Sequence, residues 1–324
     1  MPRAVSSAAW ARADWLALAA VVLAAAALRF SGLAHPAAFV FDETYYVPAA
    51  CRLALGPRPE CGGPSPYDLH PPLGKWLIAA GIAAAGLTPV GWRIAAAVAG
   101  TLTVGLLFVT ARRLLHSTLS ATVAAGLLAL DLLHFVHSRI GMLDAFLVLF
   151  AVAALLCWSL DRDRVDDRVT PGWRYGLFTR PWRIATGLAA GAAIATKWPG
   201  ALVAATTIGL ALLTDIPRMP RSGDGRVSRA DWGREAASVA AWLVALPLLV
   251  YALTHAWTIR GALLTWPWAE GAWVRALIEE QLRLLRLHPA VANAHPLRTE
   301  PWLWFSSPLH CPTSSDASGR RASG

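Results

Sequence analysis

Long apolar runs alternate with polar segments along most of the chain. A helix needs about 20 apolar residues to cross the ~30 Å hydrocarbon layer of a bilayer. Apolar runs near this length predict spans at 15–28, 94–111, 119–136, 145–160, two within 184–214, and 236–255. The pattern therefore predicts an all-α, polytopic integral membrane protein with about seven transmembrane helices.

Two polar segments are too long to be tight turns between spans. The first covers residues 32–92 and contains an apolar piece at 76–87, which is too short to span and which we expect to lie as a helix in the membrane interface. The second covers residues 257–305 and contains an amphipathic helix at 273–287. We interpret both as large loops on one side of the membrane.

The chain divides into one transmembrane domain, residues 1–305, and a tail, residues 306–324. The tail is rich in Ser, Pro, Gly and Arg, a composition that favours disorder or an aberrant reading frame. A cleaved signal peptide is an alternative interpretation of the first apolar run, because a basic start precedes Ala24-Ala25-Ala26. We favour a first span because the apolar character continues as far as Phe41.

Basic residues give the chain a formal net charge of +9 and concentrate in alternate polar segments. The richest segments are 162–183 and 218–234, and they predict the cytoplasmic side by the positive-inside rule. The loops at 32–92 and 257–305 then face outward, which predicts a multi-pass protein of the cell membrane. The sequence shows no basic stripe of the kind that binds nucleic acid. Arg29, at the end of the first span, is expected to extend toward lipid head groups.

Lysines and cysteines are few. Of 29 basic residues only Lys75 and Lys197 are lysine, and each precedes a tryptophan near a predicted span end. The four cysteines form no C-x-x-C pair, which argues against a zinc or redox motif. Cys51 and Cys61 share the first outer loop, where either a disulfide or two free thiols would be compatible with the sequence.

Titratable residues from several segments share the predicted outer side. They are Asp42, Glu43, His70, Lys75, Arg93, Arg139, Asp144 and Lys197. Such a set suits transfer from a phosphate-linked donor, because a carboxylate can accept the proton of an attacking hydroxyl and cations can stabilise the leaving phosphate. Asp42-Glu43 alone would favour a solvated loop pair, and only the surrounding motifs favour a catalytic role. We interpret Asp131 and His134, inside the third predicted span, as structural partners of Arg139 or Arg93.

Six motifs in this order resemble the protein O-mannosyltransferase family, whose members are membrane glycosyltransferases of GT-C architecture. The motifs are Phe41-Asp42-Glu43-Thr44-Tyr45, His70-Pro71-Pro72-Leu73-Gly74-Lys75, Arg93 at a span entry, Asp131 followed by Ser138-Arg139-Ile140 and Met142-Leu143-Asp144, Thr196-Lys197-Trp198, and the stretch from His295 to Trp304. Their ordered combination is far more specific than any one of them.

The resemblance implies transfer of mannose from polyprenyl-phosphate mannose to Ser or Thr of secreted or membrane proteins, which Sec translocation could deliver. It implies inversion at the anomeric carbon and neither a metal nor another cofactor. Asp42 would be the general base, and Glu43 would hold the acceptor or assist the base. The resemblance implies donor or acceptor contacts by His70, Lys75, Arg93, Arg139, Asp144, Lys197, His295 and Trp302.

The sequence departs from the family after Trp304, where family members continue with further spans, so we expect a C-terminally truncated form. Three alternatives stay open: a glycosyltransferase for another polyprenyl-phosphate sugar, an inactive fragment, and a transporter. A transporter would be expected to show inverted repeats with charges near mid-membrane. We find no such repeat, and the charges lie near the ends of the predicted spans.

Overall fold

Every regular element in the described part of the chain is a helix. The computed structural model describes residues 10–63, 69–167, 178–219, 227–255 and 273–293. The α-helices within these ranges are α1 (Arg12–Phe30), α2 (Glu43–Leu55), α3 (Leu73–Ala85), α4 (Pro89–Leu115), α5 (Thr118–Leu130), α6 (Leu132–His137), α7 (Leu143–Asp167), α8 (Pro181–Thr196), α9 (Gly200–Asp215), α10 (Arg229–Val239), α11 (Leu246–His255) and α12 (Trp273–Asn293). A π-helical turn, Ala240–Ala245, joins α10 to α11. The predicted all-α class is confirmed.

Five helices in the described ranges are long and apolar enough to cross a membrane. They are Arg12–Phe30, Pro89–Leu115, Leu143–Asp163, Gly200–Arg218 and Arg229–His255. Each coincides with a predicted span. The predicted span at 119–136 and the first within 184–214 fall on shorter helices, α5 and α8. The total of seven spans therefore stays a prediction.

Asp131 ends α5 and begins α6. Its backbone leaves the helical region, with φ −58° and ψ 122°, and its carboxylate accepts a hydrogen bond of 2.7 Å from the backbone N–H of His134. An acidic side chain in this position is a favourable N-cap. The prediction that residues 119–136 form one continuous helix is wrong, because Asp131 interrupts it.

Arg29 is fully buried at the end of α1. Its guanidinium lies 2.9 Å from Nδ1 of His134 and donates a 3.0 Å hydrogen bond to Oγ of Ser138. The prediction that Arg29 extends to the lipid head groups is therefore wrong. His134 is structural as expected, but its partner is Arg29 instead of Arg93 or Arg139.

The helices that carry the acidic motif share an apolar core. Val47 of α2, Ile78 and Ile82 of α3 and Phe146 of α7 are almost completely buried together, and Trp92 of α4 joins them. A disulfide between Cys51 and Cys61, with a Cα–Cα distance of 5.3 Å, ties the end of α2 to the loop that follows it. This answers the question that the sequence left open, and it restrains the loop leading to α3.

Glycines let α3 and α8 approach their neighbours closely. A Cβ on Gly74 of α3 would lie 2.7 Å from Cδ2 of Leu143, at the start of α7. A Cβ on Gly187 of α8 would lie only 1.8 Å from the carbonyl oxygen of Trp242. Small residues permit such backbone contacts between membrane helices. These contacts bring α3 against α7, and α8 against the segment leading to α11.

Buried ion pairs join the helix ends remote from the acidic motif. Arg112, near the end of α4, donates a 2.6 Å hydrogen bond to Asp14, near the start of α1. Arg180 and Arg183, at the start of α8, contact three carboxylates of α7, α9 and α10; these are Asp161, Asp215 and Glu235. All five side chains are at most 6% exposed. Some of the arginines that indicated the cytoplasmic side are therefore buried partners inside the helix bundle.

Candidate functional site

A turn at Phe41 precedes the two adjacent carboxylates, Asp42 and Glu43, which lie in different surroundings. The φ of +52° at Phe41 lies in the left-handed region, which costs a non-glycine residue about 1–2 kcal/mol. The turn precedes Asp42, the N-cap residue of α2. Glu43 is completely buried, whereas Asp42 is half-buried. Only Asp42 of the pair retains exposed surface.

Glu43 accepts four hydrogen bonds from within the chain. Arg93 donates through Nε to Oε1 and through Nη2 to Oε2, both at 2.8 Å. The backbone N–H groups of Val40 and Gly141 each donate at 2.8 Å. Both oxygens of Glu43 are occupied within the chain and the side chain has no exposed surface, so its predicted contact with an acceptor stays a prediction. Glu43 can also assist Asp42 by fixing the start of α2.

Arg93 uses all of its N–H groups inside the protein. Besides its two bonds to Glu43, it donates to the carbonyl oxygens of Leu33, Pro36 and Ala38 at 2.8–3.2 Å. A guanidinium has five N–H donors. All five are engaged within the chain in this arrangement, and the predicted donor contact by Arg93 stays a prediction. The side chain ties the loop before Asp42 to α4.

Asp42 faces several charged and polar groups. Tyr46, one turn along α2, donates a hydrogen bond of 3.2 Å to Oδ2 of Asp42. Burial raises the pKa of Asp42 above its ordinary value, while the Tyr46 hydrogen bond and the positive charge of Lys197 oppose the rise, and the negative charge of Asp144 adds to it. A raised pKa makes a carboxylate a better proton acceptor from a hydroxyl.

Lys197 and Asp144 form an ion pair beside Asp42. Lys197 follows α8 directly, and its Nζ lies 3.0 Å from each carboxylate oxygen of Asp144, which begins α7. Both side chains keep partial exposure, 20% and 26%. The pair is therefore accessible to a ligand that could exchange with one of its members.

His70 and Lys75 approach the site from the start of α3. Nζ of Lys75 donates a 2.7 Å hydrogen bond to the carbonyl oxygen of His70. The ring of His70 lies 5.9 Å from the ring of Tyr46, measured between centroids. Because Tyr46 also contacts Asp42, the two predicted motifs meet through this tyrosine.

Arg139 contacts α1 and a neighbouring ring instead of the groups around Asp42. Arg139 donates a 2.8 Å hydrogen bond to the carbonyl oxygen of Leu28 at the end of α1, and its guanidinium lies 5.1 Å from the ring centroid of Phe135. His295 and Trp302 lie outside the described residues, so their predicted roles stay predictions.

Sequence reasoning missed two residues of this site. Tyr46 and His137 both influence Asp42, the first by a hydrogen bond and the second by its charge. The spacing of four between Asp42 and Tyr46 could have revealed the first contact, because residues four apart are neighbours on a helix. His137 directly precedes the Ser138-Arg139 motif, so its position in the sequence could have indicated it as a site residue.

The geometry places the carboxylate of Asp42 beside the Lys197–Asp144 ion pair, and a second lysine lies in the adjoining motif. Asp42, Asp144 and Lys197 interact electrostatically, and Lys75 donates to the carbonyl oxygen of His70, whose ring lies beside that of Tyr46. Among the residues that the structure describes, no three His, Cys, Asp or Glu side chains are grouped to hold a metal ion. The described arrangement can accept a proton and provide cations for an anionic group.

Comparisons with known proteins identify the family to which the chain is similar. The family described as dolichyl-phosphate-mannose-protein mannosyltransferase matches residues 85–264. The polyprenol-phosphate-mannose–protein mannosyltransferase of Corynebacterium glutamicum is 33% identical over 344 residues, which cover 92% of this chain and 64% of that protein. The Mycolicibacterium smegmatis protein of the same name is 38% identical over 203 residues, which cover 58% of this chain and 39% of that protein.

A solved structure supports the fold. The chain is similar to the S. cerevisiae protein O-mannosyltransferase Pmt1-Pmt2 complex bound to the sugar donor, with a TM-score of 0.62 and 26% identity over 80% of this chain and 35% of that chain. This similarity confirms the predicted GT-C membrane architecture. The chain spans between 39% and 64% of the length of these bacterial relatives. It belongs to the dolichyl-phosphate-mannose-protein mannosyltransferase family.

Proposed function

We propose that this chain transfers mannose from polyprenyl-phosphate mannose to Ser or Thr hydroxyls of proteins. The single observation that carries the proposal is the environment of Asp42. It is half-buried, it faces the Lys197–Asp144 ion pair, and its neighbour Glu43 is fully engaged in supporting the corner. The named relatives act with polyprenol-phosphate-mannose and protein, which supports the same substrates here.

In the proposed reaction Asp42 accepts the proton of the acceptor hydroxyl. The hydroxyl oxygen forms a bond to C1 of mannose while the bond from C1 to the phosphate oxygen breaks. The electron pair of that bond leaves with the polyprenyl phosphate. Attack on the face of C1 opposite the phosphate inverts the anomeric configuration, and no step uses a metal or another cofactor.

Lys197 and Lys75 would stabilise the leaving phosphate. Lys197 is paired with Asp144, and an incoming phosphate could replace that carboxylate as its partner. A cation that meets developing negative charge in a site shielded from water lowers the barrier more than it would in water. Asp144 therefore holds Lys197 in place until the donor binds.

We place the site on the extracytoplasmic side of the cell membrane. The Cys51–Cys61 disulfide closes the loop after α2, and disulfides persist outside the cytoplasm. Arg112, Arg180 and Arg183 lie at the other helix ends, as the positive-inside rule expects of a cytoplasmic face. Acceptors would then meet the enzyme on export, during Sec translocation.

The test is donor-dependent transfer in membranes that contain this chain. Polyprenyl phosphates carrying labelled mannose or labelled glucose are supplied with a Ser/Thr-rich peptide. We expect labelled peptide with the mannose donor alone, and its β-elimination should release the sugar from Ser or Thr. Transfer of glucose in preference to mannose would assign the chain to a different donor. An inserted chain that transfers neither sugar would contradict the proposed function.

A further inference from the structure

Trp198 connects the donor-side lysine to a hydrogen-bonded pair outside the described site. It directly follows Lys197, and its indole Nε1–H donates a 3.0 Å hydrogen bond to the hydroxyl of Tyr251 on α11. The Tyr251 hydroxyl in turn donates to Oε1 of Gln281 on α12. This hydroxyl therefore joins three segments: the turn between α8 and α9, α11 and α12.

The turn that carries Lys197 and Trp198 is tightly built. The N–H of Gly200 donates to the carbonyl oxygen of Lys197 at 2.8 Å, and the N–H of Ala201 donates to that of Trp198 at 2.9 Å. A Cβ on Gly200 would lie 2.2 Å from the carbonyl carbon of Ala193. With so little room, a displacement of Trp198 must move Lys197 as well.

Helix packing fixes Tyr251 beside this turn. A Cβ on Gly191 of α8 would lie 2.8 Å from Cβ of Val250, the residue before Tyr251. Together with Gly187, this glycine forms a small-xxx-small pattern along α8 that allows close packing of a second helix. The contact between Trp198 and Tyr251 is therefore built on a rigid helix pair.

We propose that Tyr251 is a positioning residue for the transfer reaction, which holds Lys197 in register with Asp144 through Trp198. The hydroxyl of Tyr251 bonds to Trp198 and Gln281 and not to Asp42 or Asp144 in the described part of the chain, so it acts through the turn. The inference rests on the proposed function for its catalytic meaning. Its structural part, control of the environment of Lys197, can be tested without any donor.

The chain offers a direct probe, because Lys197 is one of only two lysines. Amine acylation with sulfo-N-hydroxysuccinimidyl acetate, followed by peptide mass spectrometry, reports the reactivity of Lys197 and of Lys75 in the same molecules. Lys75, which is 5% exposed, serves as the internal standard for an intact fold. The purified full chain is labelled in detergent without substrate.

Tyr251→Phe keeps the ring and removes the hydroxyl. We expect the labelling rate of Lys197 to rise about fivefold, the factor that corresponds to one net hydrogen bond, while Lys75 keeps its rate. Trp198→Phe should give the same rise, and the double variant should add nothing to it, because both changes break the same hydrogen bond between Trp198 and Tyr251. Asp144→Asn is the positive control, and Tyr45→Phe, at a tyrosine that is 40% exposed, is the matched control.

Unchanged Lys197 labelling in Tyr251→Phe, with a clear rise in Asp144→Asn, would overturn the proposal. An equal rise at both lysines would also overturn it, because the hydroxyl would then support the outer end of the bundle in general. In transfer assays we expect Tyr251→Phe to raise KM for the donor about fivefold and to leave kcat within about twofold. A lower kcat with an unchanged KM in Tyr251→Phe would contradict a role through Lys197. If the unmodified chain shows no transfer, the proposed function fails, but the labelling experiment still tests whether Tyr251 controls the environment of Lys197.

Discussion

At the scale of single residues, two neighbouring carboxylates have separate tasks. Glu43 is enclosed by four donors, while Asp42 keeps an exposed edge toward Lys197 and Asp144. The left-handed turn at Phe41 directs the chain so that the second carboxylate points inward. Backbone strain of this kind occurs often at functional sites. The acidic pair therefore contains one support and one candidate base.

Tyr46→Phe tests the surroundings of Asp42. Burial raises the pKa of this carboxyl, and the hydroxyl of Tyr46 lowers it by donating to the ionised form. Removing the hydroxyl should raise the pKa further. Because a general base must be ionised, the acid limb of kcat/KM against pH should move to higher pH in the variant. An acid limb that moves to lower pH, or stays in place, would contradict the assigned contact.

At the scale of elements, the Glu43–Arg93 pair joins parts that are distant in sequence. It connects the loop of residues 33–40, the start of α2, α4, and the turn at Gly141 before α7. Each donor and acceptor is satisfied, so the buried charges are compensated. The start of α2 is thus held from three directions, which keeps Asp42 at a fixed place relative to Asp144.

Glu43→Gln should reduce stability strongly. The change leaves the buried guanidinium of Arg93 without its counter-charge, and breaking a buried pair in this way costs about 3–5 kcal/mol. Thermal denaturation in detergent should show a clearly lower melting temperature. Glu279→Gln is the matched control, because its partner Arg275 is 84% exposed and exposed ion pairs contribute little to stability. Equal melting temperatures for both variants would refute this role of the pair.

At the scale of the first unit, residues 1–281, polar groups collect at the two ends of the helices. One end holds the acidic corner and the Lys197–Asp144 pair, and the other holds the Arg112–Asp14 pair with the cluster around Arg180. The lengths of α4 and α7 separate these groups, since helices rise 1.5 Å per residue. The arrangement fits a protein with chemistry at one membrane face and ionic support at the other.

Alkylation of cysteines tests which face is outside. In a Cys311→Ser background, Cys51 and Cys61 should resist an impermeant maleimide on intact cells until an impermeant reductant opens their disulfide. Both should then react from outside, whereas Cys157, within α7, should stay unlabelled. Labelling of Cys51 and Cys61 only after cell lysis would place the acidic corner in the cytoplasm and contradict the proposed orientation.

The sequence predicted the helical class, but it could not predict which groups each candidate site residue contacts. Apolar periodicity located the long helices, and the ordered motifs brought Asp42, Lys75, Asp144 and Lys197 together. The same reasoning assigned Arg93 to the donor without its partners, because sequence does not reveal which backbone carbonyls surround a guanidinium. Arg29 was placed at the surface for a similar reason, since a terminal arginine extends to head groups unless a neighbouring helix offers partners.

Short helices were the other limit. Asp131 ends α5 after 13 residues because it caps α6. The apolar pattern favours one continuous span and does not reveal this interruption. The contact between Trp198 and Tyr251 was equally hidden, because it joins residues 53 positions apart. The contact depends on close helix packing at Gly187 and Gly191. In the sequence this packing is visible only as two small residues four positions apart.

The most direct test of the account is mannose transfer by Asp42→Asn compared with Glu60→Gln. Both changes convert a carboxylate to an amide in the same loop region, and Glu60 is 51% exposed in a loose contact of 3.8 Å with Arg58. We expect Asp42→Asn to lose transfer by about 10²- to 10⁴-fold, with normal membrane insertion and normal melting temperature, while Glu60→Gln keeps its activity. Full transfer by a correctly inserted Asp42→Asn chain would remove Asp42 as the base and contradict the central claim.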